Sequence, residues 1–122
     1  MKKLEKNSKP QFYGIAEYKK EADGCLLGLF TNILAGGRIM PECARKKEND
    51  KERAKLEGYY HVSWIEHEEG VIPGILEVSV ISKENFIYKF KWTDEDQKEI
   101  WFEGIGKKIG ENHYAVAYIN VE

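Results

Sequence analysis

Residues 74–92 read Gly-Ile-Leu-Glu-Val-Ser-Val-Ile-Ser-Lys-Glu-Asn-Phe-Ile-Tyr-Lys-Phe-Lys-Trp. Leu76, Val78 and Val80 alternate with Glu77 and Ser79. Tyr88, Phe90 and Trp92 alternate with Lys89 and Lys91. A period of two puts successive side chains on opposite faces, so each run reads as a strand with one buried and one wet face. Lys83-Glu84-Asn85 between them is turn chemistry, and the stretch as a whole reads as a β-hairpin.

The same grammar extends in both directions. Eight apolar segments can be marked: Phe12–Lys19, Cys25–Leu34, Arg38–Lys46, Gly58–Glu66, Gly74–Ser82, Phe86–Thr93, Glu99–Lys107 and His113–Val121. Turn signals such as Ala22-Asp23-Gly24, Ala35-Gly36-Gly37 and Asp94-Glu95-Asp96 separate them. No segment carries a helical stripe. Lys46–Lys55 is the exception to strand: it is almost wholly charged, lacks an apolar face and adds little to a core. Eight strands on short turns suggest an all-β, antiparallel up-and-down barrel, which removes exposed sheet edges by closing. An open β-sandwich is the alternative. Pro41 has no N–H to give to a ladder, so a bulge or an opening beside the third strand is expected.

Composition bounds the rest. The chain has 122 residues, about one domain, with 19 Lys and Arg against 21 Asp and Glu. That balance, a net charge of −2, argues against a broad nucleic-acid surface, and no nucleic-acid partner is expected. Residues 1–10 read as a basic flexible tail and 11–122 as a single barrel domain. The tail lysines are not followed by the apolar run of a signal peptide. The longest apolar run, Cys25–Phe30, is far short of a bilayer span. The expectation is a cytoplasmic protein with no membrane contact, and Cys25 and Cys43 as free, buried thiols.

Gly58-x-Tyr60-x-x-x-Trp64 is echoed by Tyr88-x-Phe90-x-Trp92, and these are followed by Phe102-x-Gly104-x-Gly106 and Ala115-Val116-Ala117-Tyr118. In this spacing residues 58–118 resemble a recurrent bacterial β-domain, and the strand plan is similar to the calycin group of avidin-like and lipocalin-like eight-stranded barrels. The resemblance implies a fold and names no ligand. The biotin contacts of avidins are not recognisable, and Gly14-Ile15-Ala16 stands where lipocalins carry Gly-x-Trp.

Reactive motifs are sparse. His61 and His67, six apart on an extended chain, would lie about 20 Å from each other, so no metal site is expected. No cofactor is expected either. The Tyr60, Trp64, Tyr88, Trp92 and Tyr118 set reads as a filled core or as a ligand cup, because Tyr and Trp join an apolar body to a hydrogen-bonding group. Asn32 and Arg38 flank the second turn, near a barrel mouth. Glu103 would enter the lumen only if a bulge shifted the register, and otherwise faces solvent. The turns at one end are rich in lysine and those at the other in acids, which could steer an anionic ligand to the basic end. The leading functional expectation is binding of a small, partly apolar molecule. A non-enzymatic interaction or scaffold module, able to form a homodimer, is the alternative. An enzyme sited at the barrel mouth is the third.

Overall fold

The computed structural model describes residues 13–47, 54–66 and 70–121. Eight strands follow one another: β1 (Tyr13–Lys20), β2 (Leu26–Asn32), β3 (Met40–Lys46), β4 (Gly58–Glu66), β5 (Gly70–Ser82), β6 (Ile87–Thr93), β7 (Ile100–Gly110) and β8 (His113–Asn120). Each pairs antiparallel with the next, and β8 pairs with β1, so the sheet closes into a barrel in sequence order. The described residues contain no helix. The antiparallel barrel expected from the alternation is the architecture adopted, and the open sandwich is not.

The largest boundary difference is β5, which starts at Gly70 and carries Pro73 opposite Ser63. Pairing of β5 with β6 begins only at Ile75–Thr93, so Pro73 has a partner strand on one side alone. Pro41 is accommodated in the same way. It lies opposite Leu29 of β2 without a bulge, while the ladder to β4 stops at Glu42–Trp64. A missing N–H costs nothing where no neighbouring strand asks for it. Val80, expected inward with Leu76 and Val78, is 40% exposed at the register shift that ends the β5–β6 ladder.

The inner face is built by setting glycine against aromatic rings. Tyr18 lies in register with Gly28, and Tyr118 lies between Gly14 and Gly104. A Cβ on Gly28 would come within 2.6 Å of the Tyr18 ring, and one on Gly106 within 2.5 Å of the Phe90 ring. Pairing small with large residues is how a narrow barrel fits bulky side chains inside. Tyr18, Tyr60, Phe90, Leu26 and Leu76 are fully buried and fill the lumen through its middle. Burial of each such side chain is worth about 1.5–3 kcal/mol.

One end is stoppered. Leu56, from the β3–β4 connection, is 2% exposed, and its carbonyl accepts a 2.5 Å hydrogen bond from the Tyr60 hydroxyl. Lys46, the last residue of β3, is buried, donates to the Lys55 carbonyl and sits 5.4 Å from the Tyr60 ring centroid. The charged segment thus contributes an apolar plug. Residues 48–53 of that segment and the expected tail at 1–10 lie outside the described residues. Neither cysteine is in a disulfide, as expected, but neither is buried: Cys25 is half-buried, and Cys43 is exposed on the outer wall. It alternates with Glu42 and Ala44, which take the two inward places.

Candidate functional site

At the other end the interior opens. Below Glu42–Trp64, residues 40–41 of β3 and 65–66 of β4 are not paired with each other, because the ladder ends there. A cup occupies this place, lined by Phe30 and Asn32 of β2, Glu42 of β3, Trp64 and Glu66 of β4, Trp92 of β6, Phe102 of β7 and Tyr118 of β8. The space it offers to a water-sized molecule is about 20 Å³, room for one water.

Glu42 forms the floor. The alternation of β3 points it inward with Met40 and Ala44, and it is 7% exposed. The Tyr18 hydroxyl donates to its Oε2 at 2.7 Å, and the Trp92 indole N–H donates to the same oxygen at 3.2 Å. Oε1 receives neither. No buried side-chain polar atom among the described residues lacks a partner, so Oε1 is the oxygen that faces the open space. Burial pushes the Glu42 carboxyl up to about 7, against the two hydrogen bonds that favour its charged form. Burial, and then the charge of Glu42, hold Tyr18 well above the ordinary tyrosine range. Tyr118 is pushed up to about 12, mainly by burial.

The walls are a continuous run of rings. Tyr18 stacks on Phe90 at 5.7 Å, Phe90 meets Trp92 at 5.8 Å, and Trp92 meets Tyr118 at 5.5 Å. Phe102 then packs edge-on against Tyr118 at 5.8 Å and against Trp64 at 6.3 Å. Polar groups hold two of these rings in place. The Trp64 N–H donates to Glu66 Oε1 at 3.0 Å, and the Asn32 amide donates to the Tyr118 hydroxyl at 3.4 Å.

Of the residues singled out in the sequence, the fold brings Asn32, Trp64, Trp92 and Tyr118 together in the cup. Tyr60 lies in the stoppered end. Tyr88 packs edge-on against Tyr114 at 6.0 Å, away from the cup. Arg38 is exposed in the β2–β3 turn, and its carbonyl accepts from Thr31. Glu103 keeps the regular register and lies on the outer wall, 3.7 Å from Lys89. Glu42, Glu66, Phe30 and Phe102 complete the lining and were not anticipated as site residues. The readable signal for Glu42 was its position two residues from both Met40 and Ala44.

Among the described residues the lining contains no Lys, Arg or His and no Ser or Cys. A carboxyl titrating near neutrality can accept or donate a proton, but in that lining the other acid–base groups are only Glu66 and the Tyr118 phenol, which is pushed up to about 12. The mouth is also at the acidic end: Asp94, Glu95, Asp96 and Glu99 lie in the β6–β7 connection beside it. The steering expected for anions at the lysine-rich end therefore meets the Leu56 stopper. No protein-family model, curated protein or solved structure matches this chain.

Proposed function

We propose that this chain is a small-molecule-binding β-barrel, calycin-like in plan, that holds its ligand in the aromatic cup at the acidic end. The observation that carries the reading is Glu42. A buried carboxylate costs several kcal/mol unless its oxygens are satisfied, and here one oxygen accepts two hydrogen bonds while the other faces a cavity. A partly apolar molecule with one hydrogen-bond donor would bury its body against Trp64, Phe102 and Tyr118 and satisfy Oε1. The filled middle of the barrel confines the ligand to the mouth.

The test is protein-observed NMR with a fragment library. Binding at the cup shifts the indole N–H signals of Trp64 and Trp92 and leaves the amides of Leu56 and Tyr60 unmoved. Fragments that perturb only the outer wall, or a library with no hit at the cup, would overturn the proposal.

A second reading, the scaffold, has an observation of its own. The outer wall around β8 carries an apolar groove of about 520 Å³ bordered by Ile15, Leu29, Ile39 and Ile105, with Ala115 and Ala117 at its base. These four large side chains are 56–68% exposed. A contiguous apolar patch, unlike scattered single residues, marks an interaction surface. An isologous contact with a second copy of this chain would cover the patch on both copies at once. Light scattering across a concentration series checks this, and a strict monomer refutes it.

A further inference from the structure

The geometry points to a small organic cation, an alkylammonium head group, as the class of ligand the cup prefers over neutral molecules of the same shape. This rests on the cup reading above and adds a charge to it. Aromatic faces carry negative quadrupole density and attract a cation placed within about 6 Å, more strongly when water is excluded. Here Phe30, Trp64, Trp92, Phe102 and Tyr118 surround one small space, and among the described residues the only charged groups in its lining are the carboxylates of Glu42 and Glu66.

β1 presents Tyr18, β2 Phe30 and Asn32, β4 Trp64 and Glu66, β6 Trp92, β7 Phe102 and β8 Tyr118, and among the described residues no basic side chain lies in that lining. A bound anion would face two carboxylates with no cation in the lining to offset them. A neutral donor would gain the ring contacts and a hydrogen bond to Oε1 but no charge to match that of Glu42. A cation gains the ring contacts and the matching charge. The cup itself has room for about one water, so the ammonium would sit at its opening and reach Oε1 directly or through a water. The β6–β7 connection outside, four acids against Lys98, adds a net negative field at the mouth, offset in part by exposed Arg38 of the β2–β3 turn.

Because a cation binds the charged form of Glu42, it competes with the proton there. Burial holds this carboxyl at about 7, so cation affinity should fall as pH drops through that value, and bound cation should draw the proton off.

The experiment compares choline with its uncharged isostere 3,3-dimethyl-1-butanol. Both are titrated into the full chain and into Glu42→Gln and Glu66→Gln, at pH 8 and pH 6, with the Trp64 and Trp92 indole signals as readout. The amide spectrum of each variant serves as the check that it is folded. Choline is expected to bind about tenfold more tightly than the isostere at pH 8. Glu42→Gln should erase most of that preference and its pH dependence, bringing choline and the isostere to comparable affinity. Glu66→Gln should reduce the preference and keep the pH dependence. Equal binding of the two probes at pH 8, or a preference that survives Glu42→Gln, overturns the charge selectivity while the cup remains a binding site. Failure of both probes to move either indole, with no fragment doing so, removes the cup reading as well.

Discussion

Replacing Glu42 by Gln should stabilise the barrel at alkaline pH and change little at acid pH. The magnitude follows from the gap between the ordinary glutamate value of 4.5 and the folded value of about 7. A tenfold change in a protonation equilibrium is worth about 1.36 kcal/mol, so the gap amounts to about 3 kcal/mol. The sign follows from proton binding. Between the two values the folded chain holds a proton that the unfolded chain has released, so stability falls as pH rises through this window. Below pH 4.5 both states are protonated and the penalty is absent; above 7 it is complete. Gln keeps an acceptor for the Tyr18 hydroxyl and the Trp92 N–H and carries no charge at any pH. Urea unfolding followed by tryptophan fluorescence, at intervals from about pH 4.5 to about pH 8.5, gives both stability curves. Wild type should lose about 3 kcal/mol relative to Glu42→Gln across that range, or about 10 °C in Tm. Parallel curves would refute the reasoning, since they would mean that Glu42 titrates alike in the folded and unfolded chains.

Three further outcomes test other parts of the structure. Gly14→Ala should cost roughly 1–3 kcal/mol in urea unfolding, because the new Cβ would run into the Tyr118 ring and neither strand can retreat inside a closed barrel. Leu56→Ala should cost about 2–5 kcal/mol by the same assay, since it empties the stopper beneath Tyr60. Glu77→Gln should cost less than about 1 kcal/mol, because the 2.8 Å contact with Lys91 and the 3.0 Å bond from Tyr59 lie on the wet face. The Lys91 contact holds Glu77 below the ordinary 4.5, so this contribution is present above that value and is lost as pH falls through the folded one. Urea midpoints of wild type and Glu77→Gln should therefore converge in acid.

Much of this fold was legible because its side chains alternate without ambiguity. Leu76–Val78 and Tyr88–Trp92 leave one choice of face, and the turns between segments leave one direction of travel. The inward aromatics on β4, β6 and β8 followed from the same parity, which is why Trp64, Trp92 and Tyr118 were found. Glu42 was missed because β3 is ambiguous. Met40 and Ala44 could be one apolar face, but so could Pro41 and Cys43. Only the closed ring decides, and it places the acid inside. Which mouth is open was also beyond the sequence. It depends on where the β3–β4 ladder stops and on Leu56 folding back from a charged segment, and both are long-range outcomes of packing.

The short ladders of β3 carry a mechanical consequence. Among the described residues, β3 has five aligned pairs with β2 and five with β4, whereas β4 and β5 share nine. A barrel is a hoop of staves, and the stave with the fewest fastenings yields first. That stave carries the cup's carboxyl. An outward swing of β3 at its Pro41 end would break no hydrogen bond to β4, since none of the ladder extends that far, and would widen the cup where the proposed ligand would enter. Amide exchange at Met40 and Glu42 should then outpace that of every other strand interior, and a bound guest should slow it by latching β3 to the rings across the mouth.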